Sequence, residues 1–161
     1  DDITYTVMLP VRKQDVVTSK YLFVLSIECI AFILCLFLTI IRMRLLGDAT
    51  PYVTNPLMNA NAAYLGYIML VFATFNSVFL EGFFKTAYKI GKPFILFCAV
   101  ATVIIFVGEI LHHIPGLESL NDSSNLNVPQ IVILLFGVAI FNLCTWFSYQ
   151  KAIKDFERID L

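Results

Sequence analysis

Long apolar segments alternate with short polar stretches along the whole chain. The apolar segments are residues 21–41, 60–84, 93–111 and 128–149. A helix that crosses the hydrocarbon core of a bilayer needs about 20 mostly apolar residues, and in lipid the backbone must form its hydrogen bonds within the segment. Membrane β-strands instead show about ten residues of strict alternation, which these segments lack. The pattern therefore predicts an all-α fold, a polytopic bundle of four transmembrane helices within one transmembrane domain over 1–161.

The composition excludes most other classes of protein. Of the 161 residues, 59% are apolar and 14% are charged, whereas an ordinary soluble domain carries roughly 25% charged residues. One core cannot bury so much apolar surface, because a domain of about 150 residues still leaves roughly 30% of its unfolded-chain surface in water. The formal net charge is −1, so there is no basic excess for nucleic acid. The expected partner is a lipid bilayer.

The basic residues that flank the spans are distributed unevenly. Nine would lie on one side of the membrane: Arg12, Lys13, Lys20, Lys85, Lys89, Lys92, Lys151, Lys154 and Arg158. The other side would have only Arg42 and Arg44. Because basic residues favour the cytoplasmic side, both termini and the 85–92 loop are predicted to be cytoplasmic, and 42–59 and 114–127 to be outside. Arg42 and Arg44 would then reach the outer headgroups or lie in a re-entrant segment.

Three carboxylates fall inside predicted spans: Glu28, Glu81 and Glu109. An ionisable group at the depth of Glu28 usually faces the bundle interior or a wet cavity. Glu28 is therefore expected to make a polar contact with another helix, or to be protonated and bonded to a nearby hydroxyl such as that of Ser26. Glu81 lies near the end of its span and is expected to pair with Lys85, since residues four apart share a helix face.

A third polar cluster, Glu109-x-x-His112-His113, ends the third span. These positions share one helix face, so a carboxylate and two imidazoles could bind a metal or pass a proton. Carboxylate-bridged metal sites in bundles need the Glu-x-x-His pattern twice, and the sequence has it once. We therefore expect an interfacial polar cluster, with a metal site or an intramembrane enzyme as the alternative.

No other part of the sequence indicates chemistry. The four cysteines are all in spans and lack the spacing of metal or redox motifs: Cys29, Cys35, Cys98 and Cys144. They are expected to be core thiols. There is no nucleophile elbow and no phosphate-binding glycine loop, so we expect no catalytic residue and no cofactor or metal bound by this chain.

The segment before the first span, LPVRKQDVVTSKY at 9–21, has a different character. Pro10 suits the first turn of a helix, and basic residues are followed by Asp15 and then by Val16 and Val17. This pattern predicts a short amphipathic helix over about 10–20, lying on the cytoplasmic membrane surface.

This segment resembles one in the membrane subunits, or permeases, of bacterial type-2 ABC exporters, where L-P-[VI]-S-R-K-[DE]-[IV]-V-x-[SA]-K-Y precedes a span. The matching residues are Leu9, Pro10, Val11, Asp15, Val16, Val17, Ser19, Lys20 and Tyr21. Lys13 stands where the pattern has Arg, Arg12 replaces Ser and Gln14 replaces a base. Residues 83–92, FFKTAYKIGK, are similar to a family loop with the pattern aromatic-aromatic-Lys-x-Gly-Tyr-x-Lys-x-Arg, with Ala87 in place of Gly. The C-terminal ERIDL is similar to the family's terminus.

The resemblance implies a permease of a bacterial cytoplasmic membrane that couples to a separate cytoplasmic ATPase, which would hold ATP and magnesium. A coupling-type helix would contact the ATPase through Leu9, Pro10, Val11, Arg12, Lys13, Asp15, Val16 and Lys20. A second cytoplasmic loop would present Lys85, Tyr88, Lys89 and Lys92. Substrate would pass between this chain and a second permease copy, in a homodimer or heterodimer. Family members have six spans, so two more are expected to precede Asp1.

Two functions of other classes stay open on the sequence alone. One is a four-helix accessory, immunity or sensor protein of the membrane without a pump partner. The other is the intramembrane enzyme, which would use Glu109, His112 and His113.

Overall fold

The computed structural model describes residues 12–46 and 57–159, and these ranges are helical with short connections. The long helices are α1 (Lys13–Leu45), α2 (Ala62–Lys85), α3 (Gly91–Leu111) and α4 (Val128–Glu157). A short 3-10 turn, Glu118–Asn121, lies between α3 and α4. Each long helix has the length and apolar composition to cross a membrane. The predicted all-α fold with four membrane-spanning helices is confirmed.

The first helix is longer than the predicted span. It begins at Lys13 and continues to Leu45. No Gly or Pro occurs between these residues, so nothing in the sequence breaks the helix. Residues 13–20, which the sequence assigns to a separate surface helix, are about the first two turns of α1. Leu9, Pro10 and Val11 lie outside the described residues.

The helices α2 and α4 form the tightest pair in the bundle. A Cβ atom added to Gly137 of α4 would overlap the carbonyl oxygen of Gly66 of α2, and one added to Gly66 would lie 2.6 Å from the carbonyl oxygen of Ile133. The two backbones therefore touch without an intervening side chain. Small residues allow this close approach between membrane helices.

The middle of α2 is a π-helix over Phe75–Leu80. A π-turn inserts one extra residue into an α-helix and is common at functional sites. Within it, the side chains of Asn76 and Leu80 are buried. The wider turn brings a polar side chain into the centre of the bundle.

The outer helices are exposed to their surroundings. In the most apolar stretch of α2, 39% of the residues are buried inside the bundle. The corresponding share is 11% in α1 and 11% in α3. Large apolar side chains such as Phe23, Phe37 and Phe106 point outward. Since these faces are apolar throughout, they are suited to lipid or to further membrane helices.

Candidate functional site

A buried hydrogen-bonded network joins three helices through Asn76, whose side chain is fully buried. Its Nδ2 donates to Glu28 Oε2 of α1 at 3.0 Å and to Thr145 Oγ1 of α4 at 3.0 Å. Hydrogen bonds of this kind hold membrane helices together, because lipid offers no competing partner. One amide therefore connects α1, α2 and α4.

The network continues through the backbone of Asn76. Its carbonyl oxygen accepts the π-helical bond from the Glu81 N–H and a second bond from Ser148 Oγ at 2.6 Å. Because the Ser148 proton is used in that bond, the Tyr21 hydroxyl donates to Ser148 Oγ, also at 2.6 Å. Tyr21 and Ser148 therefore form a second connection between α1 and α4, closer than Glu28 to the start of α1.

Glu28 lies inside the protein, with 7% of its surface exposed. The Ser26 hydroxyl, which the sequence offers as its partner, donates instead to the Leu22 carbonyl of its own helix at 2.8 Å. Asn76 takes its place. An asparagine inside an apolar span was the sequence signal for this contact, but the partner depends on how the helices face one another.

Glu81 pairs with a residue of another helix. Its Oε1 lies 2.6 Å from Lys151 Nζ of α4. The prediction that Glu81 pairs with Lys85 is therefore wrong. The reason is tertiary: α4 packs along α2 and brings Lys151 to the carboxylate, while the Lys85 side chain is on an exposed surface.

We call the end of the bundle with residues 13–20, 85–92 and 151–158 the basic end. Its centre is an aromatic cluster built on Tyr88. The Tyr88 ring stacks on Phe83 at 4.5 Å and on Phe156 at 5.7 Å between ring centroids. Lys20 Nζ lies 5.5 Å from the Tyr88 centroid and 5.8 Å from that of Phe83, within the range of a cation–π interaction.

The start of α1 packs into the same end. Val17 is fully buried, and Lys13 Nζ donates to the Ile159 carbonyl at 2.6 Å. On the outer side, Arg12 and Asp15 form an ion pair at 3.5 Å, with 87% and 60% of their side chains exposed. Other basic side chains are exposed there: Lys85, Lys89, Lys92, Lys154 and Arg158. The predicted contact residues within the described range are thus gathered at one end.

The opposite end, which we call the loop end, carries residues 57–61 and 112–127. Glu109 Oε2 accepts from the backbone N–H of Met58 at 2.9 Å. His112 is buried, and the centroid of its ring lies 4.0 Å from the centroid of the His113 ring. Among the described residues, no three metal-ligating side chains group together. The Glu109 carboxylate therefore binds a backbone amide of the segment before α2.

Arg42 is part of the protein interior at the loop end. It is 7% exposed, and its guanidinium donates to the Leu46 carbonyl and to Asn59 Oδ1, each at 2.8 Å. Asn59 in turn donates its backbone N–H to Asn121 Oδ1 at 2.6 Å. Arg42 therefore binds the segment before α2, whereas the sequence placed it among lipid headgroups or in a re-entrant segment.

Further side-chain amides hold the segments of the loop end together by hydrogen bonds to the backbone. Asn61 caps α2 by accepting from the Tyr64 N–H at 3.1 Å, as an N-cap asparagine does, and donates to the Leu120 carbonyl at 2.7 Å. Gln130 of α4 donates to the Asp122 carbonyl at 2.7 Å. The concentration of Asn in 59–61 and 121–127 was the available sequence signal, and sequence analysis did not use it.

The Asp122 carboxylate organises the turn that leads into α4. Its Oδ1 accepts from the Ser124 hydroxyl at 2.6 Å and from the Ser124 N–H at 2.7 Å, and its Oδ2 accepts from Asn127 at 3.1 Å. These bonds, chiefly those from Ser124, favour the ionised form and lower the pKa of Asp122 below its ordinary value.

The chain has four helices of membrane-spanning length. Buried polar contacts join them, and the loops pack together at one end. These features are those of a multi-pass helical membrane protein. The family model described as ABC-2 family transporter protein matches residues 2–157, nearly the whole chain. The chain belongs to this family, and its class is that of a membrane transport component, a permease. The resemblance found in the sequence is confirmed. Neither curated proteins nor solved structures give a significant match.

Proposed function

We propose that this chain is the permease subunit of an ATP-driven exporter and that a separate cytoplasmic ATPase docks on its basic end. The observation that carries the proposal is that two segments far apart in sequence meet there. Lys20, from the segment before the first span, lies over the rings of Phe83 and Tyr88. These are the two segments whose sequences resemble cytoplasmic parts of type-2 ABC permeases.

The surface of the basic end supports contact with a water-soluble partner. Gln14, Asp15 and Ser19 of α1 are exposed, as are Lys85 and Lys89 of the loop. The opposite side of the same turn of α1 is buried against α2 and α4, with Val17 and Phe84 fully enclosed. A partner that bound the exposed side of α1 would therefore contact a helix that is packed firmly against α2 and α4.

Transport would follow from a change in the relative stability of two arrangements of the helices. A ligand shifts such an equilibrium only by binding one state more tightly than the other. ATP binding and hydrolysis in two ATPases would supply that difference, and two permease chains would provide the path for the substrate. The basic end would then face the cytoplasm of a bacterial cell, with both termini of this segment on that side.

Co-purification with the ATPase tests the proposal. Asp15→Arg reverses an exposed charge outside the apolar part of α1, so the variant should insert and fold. If Asp15 is enclosed by the partner, loss of a charged contact should weaken the complex about 30-fold or more, and ATP hydrolysis by the complex should fall.

Ser123→Ala at the loop end is the matched control and should leave the complex intact. If Asp15→Arg and Arg12→Glu both leave complex formation and ATP hydrolysis unchanged, the basic end does not couple to an ATPase. A membrane accessory protein would then be the better description.

A further inference from the structure

Two buried oxygen atoms in the central network have no hydrogen-bond donor. They are Glu28 Oε1 and Asn76 Oδ1. Both side chains are more than nine-tenths buried, with 7% and 0% of their surfaces exposed. The other atoms of the same two groups are already bonded to each other, since Asn76 Nδ2 donates to Glu28 Oε2 at 3.0 Å. Buried acceptors without donors are rare in folded proteins.

One added proton would satisfy both oxygen atoms. An ionised carboxylate only accepts, whereas a carboxylic acid also has an O–H donor. A carboxylic acid and a primary amide can form a cyclic pair, in which the amide N–H donates to the acid carbonyl and the acid O–H donates to the amide carbonyl. The second N–H of Asn76 is bonded to Thr145 Oγ1 at 3.0 Å, so the pair would be complete.

We propose that Glu28 and Asn76 form a proton-binding site within the membrane, with the proton held on Glu28 Oε1 and donated to Asn76 Oδ1. Binding takes one proton from water and neutralises the carboxylate. Release returns the proton to water and leaves both oxygen atoms, Glu28 Oε1 and Asn76 Oδ1, without a donor. The site therefore ties α1 to α2 when it is protonated and loosens that tie when it is not.

The surroundings leave Glu28 without a close charged partner among the described residues. The nearest charged groups along the packed helices are Lys20 on α1 and the Glu81–Lys151 pair between α2 and α4. Along its helix, each lies more than one turn, about 5.4 Å, from the member of the Glu28–Asn76–Thr145 group on that helix. The Tyr21 hydroxyl is engaged with Ser148.

The side of Glu28 toward α3 is apolar. A cavity of about 350 Å³ there is lined by Phe72, Phe75 and Phe97. Between Pro93 and Gly108, α3 has no acidic or basic residue. A neutral acid is suited to this site, because an unpaired charge is costly in such surroundings.

Infrared spectroscopy of the full chain in lipid nanodiscs tests the proposal. The wild type should show the carbonyl band of a protonated carboxylic acid, and this band should decrease as the pH is raised. Glu28→Gln should remove the band. It should also fold normally, because the glutamine amide can donate to Asn76 Oδ1 in place of the acid. Glu81→Gln and Glu109→Gln are matched controls and should retain the band.

Thermal unfolding gives a second measurement. The wild type should lose stability as rising pH removes the proton, whereas Glu28→Gln should not respond over the same range. An absent band in the wild type, a band that persists in Glu28→Gln, or identical pH profiles for the two proteins would overturn the proposal. Neither measurement involves an ATPase, so failure here is distinct from failure of the proposed docking function.

Discussion

Gly66 and Gly137 meet backbone to backbone where α2 and α4 are packed together, and a Cβ atom on Gly137 would overlap the Gly66 carbonyl oxygen. Gly137→Ala should therefore push the two helices apart. Overpacking of this kind costs about 1–3 kcal/mol, so the unfolding temperature in detergent should fall. Gly91→Ala is the matched control, because a Cβ atom there has no neighbour within 4 Å. An equal loss in the two variants would contradict the close contact.

Ala87 has a left-handed backbone, with φ of 53°. Such a conformation costs a non-glycine residue about 1–2 kcal/mol, so Ala87→Gly should raise the unfolding temperature. Ala99→Gly, on the exposed surface of α3, should instead destabilise by about 1 kcal/mol. If the two substitutions act in the same direction, the strain at Ala87 is not present in solution.

The lowered pKa of Asp122 predicts acid sensitivity at the loop end. A folded-state pKa below the unfolded one gives stability that is present above the unfolded value, about 3.9, and is lost as the pH falls through the folded value. Asp122→Asn should be less stable than the wild type at neutral pH, and the difference should shrink at acid pH. Chemical unfolding at a series of pH values measures this, with Ser123→Ala as the control that keeps the wild-type profile.

Membrane orientation is open to a direct test. Ser123→Cys at the loop end should react with an impermeant thiol reagent added to intact cells, and Lys89→Cys should react only after the membrane is permeabilised. The native cysteines are first replaced by alanine. The reverse labelling would invert the orientation, and labelling of both sites from one side would contradict the four-span topology.

The spans could be predicted because hydropathy is local and lipid imposes helices on any apolar segment of that length. The contacts between spans could not. Glu81 has Lys85 one turn away in its own helix, yet it binds Lys151, because α4 packs closely along α2. Asn76 was visible as a polar residue in an apolar span, but its bonds to Glu28 and Thr145 depend on a π-turn that no local pattern encodes.

The length of α1 sets a geometric condition on the whole bundle. Its 33 residues extend over about 50 Å, whereas the hydrocarbon core is about 30 Å thick. A straight helix of that length must tilt strongly or project about 20 Å beyond the hydrocarbon core. It has no internal Gly or Pro to serve as a hinge, and Arg42 fixes its far end to Asn59. A small rotation of α1 about that anchor would therefore displace its start at Lys13 the most. Because that start is packed against α2 and α4, those helices would have to move with it.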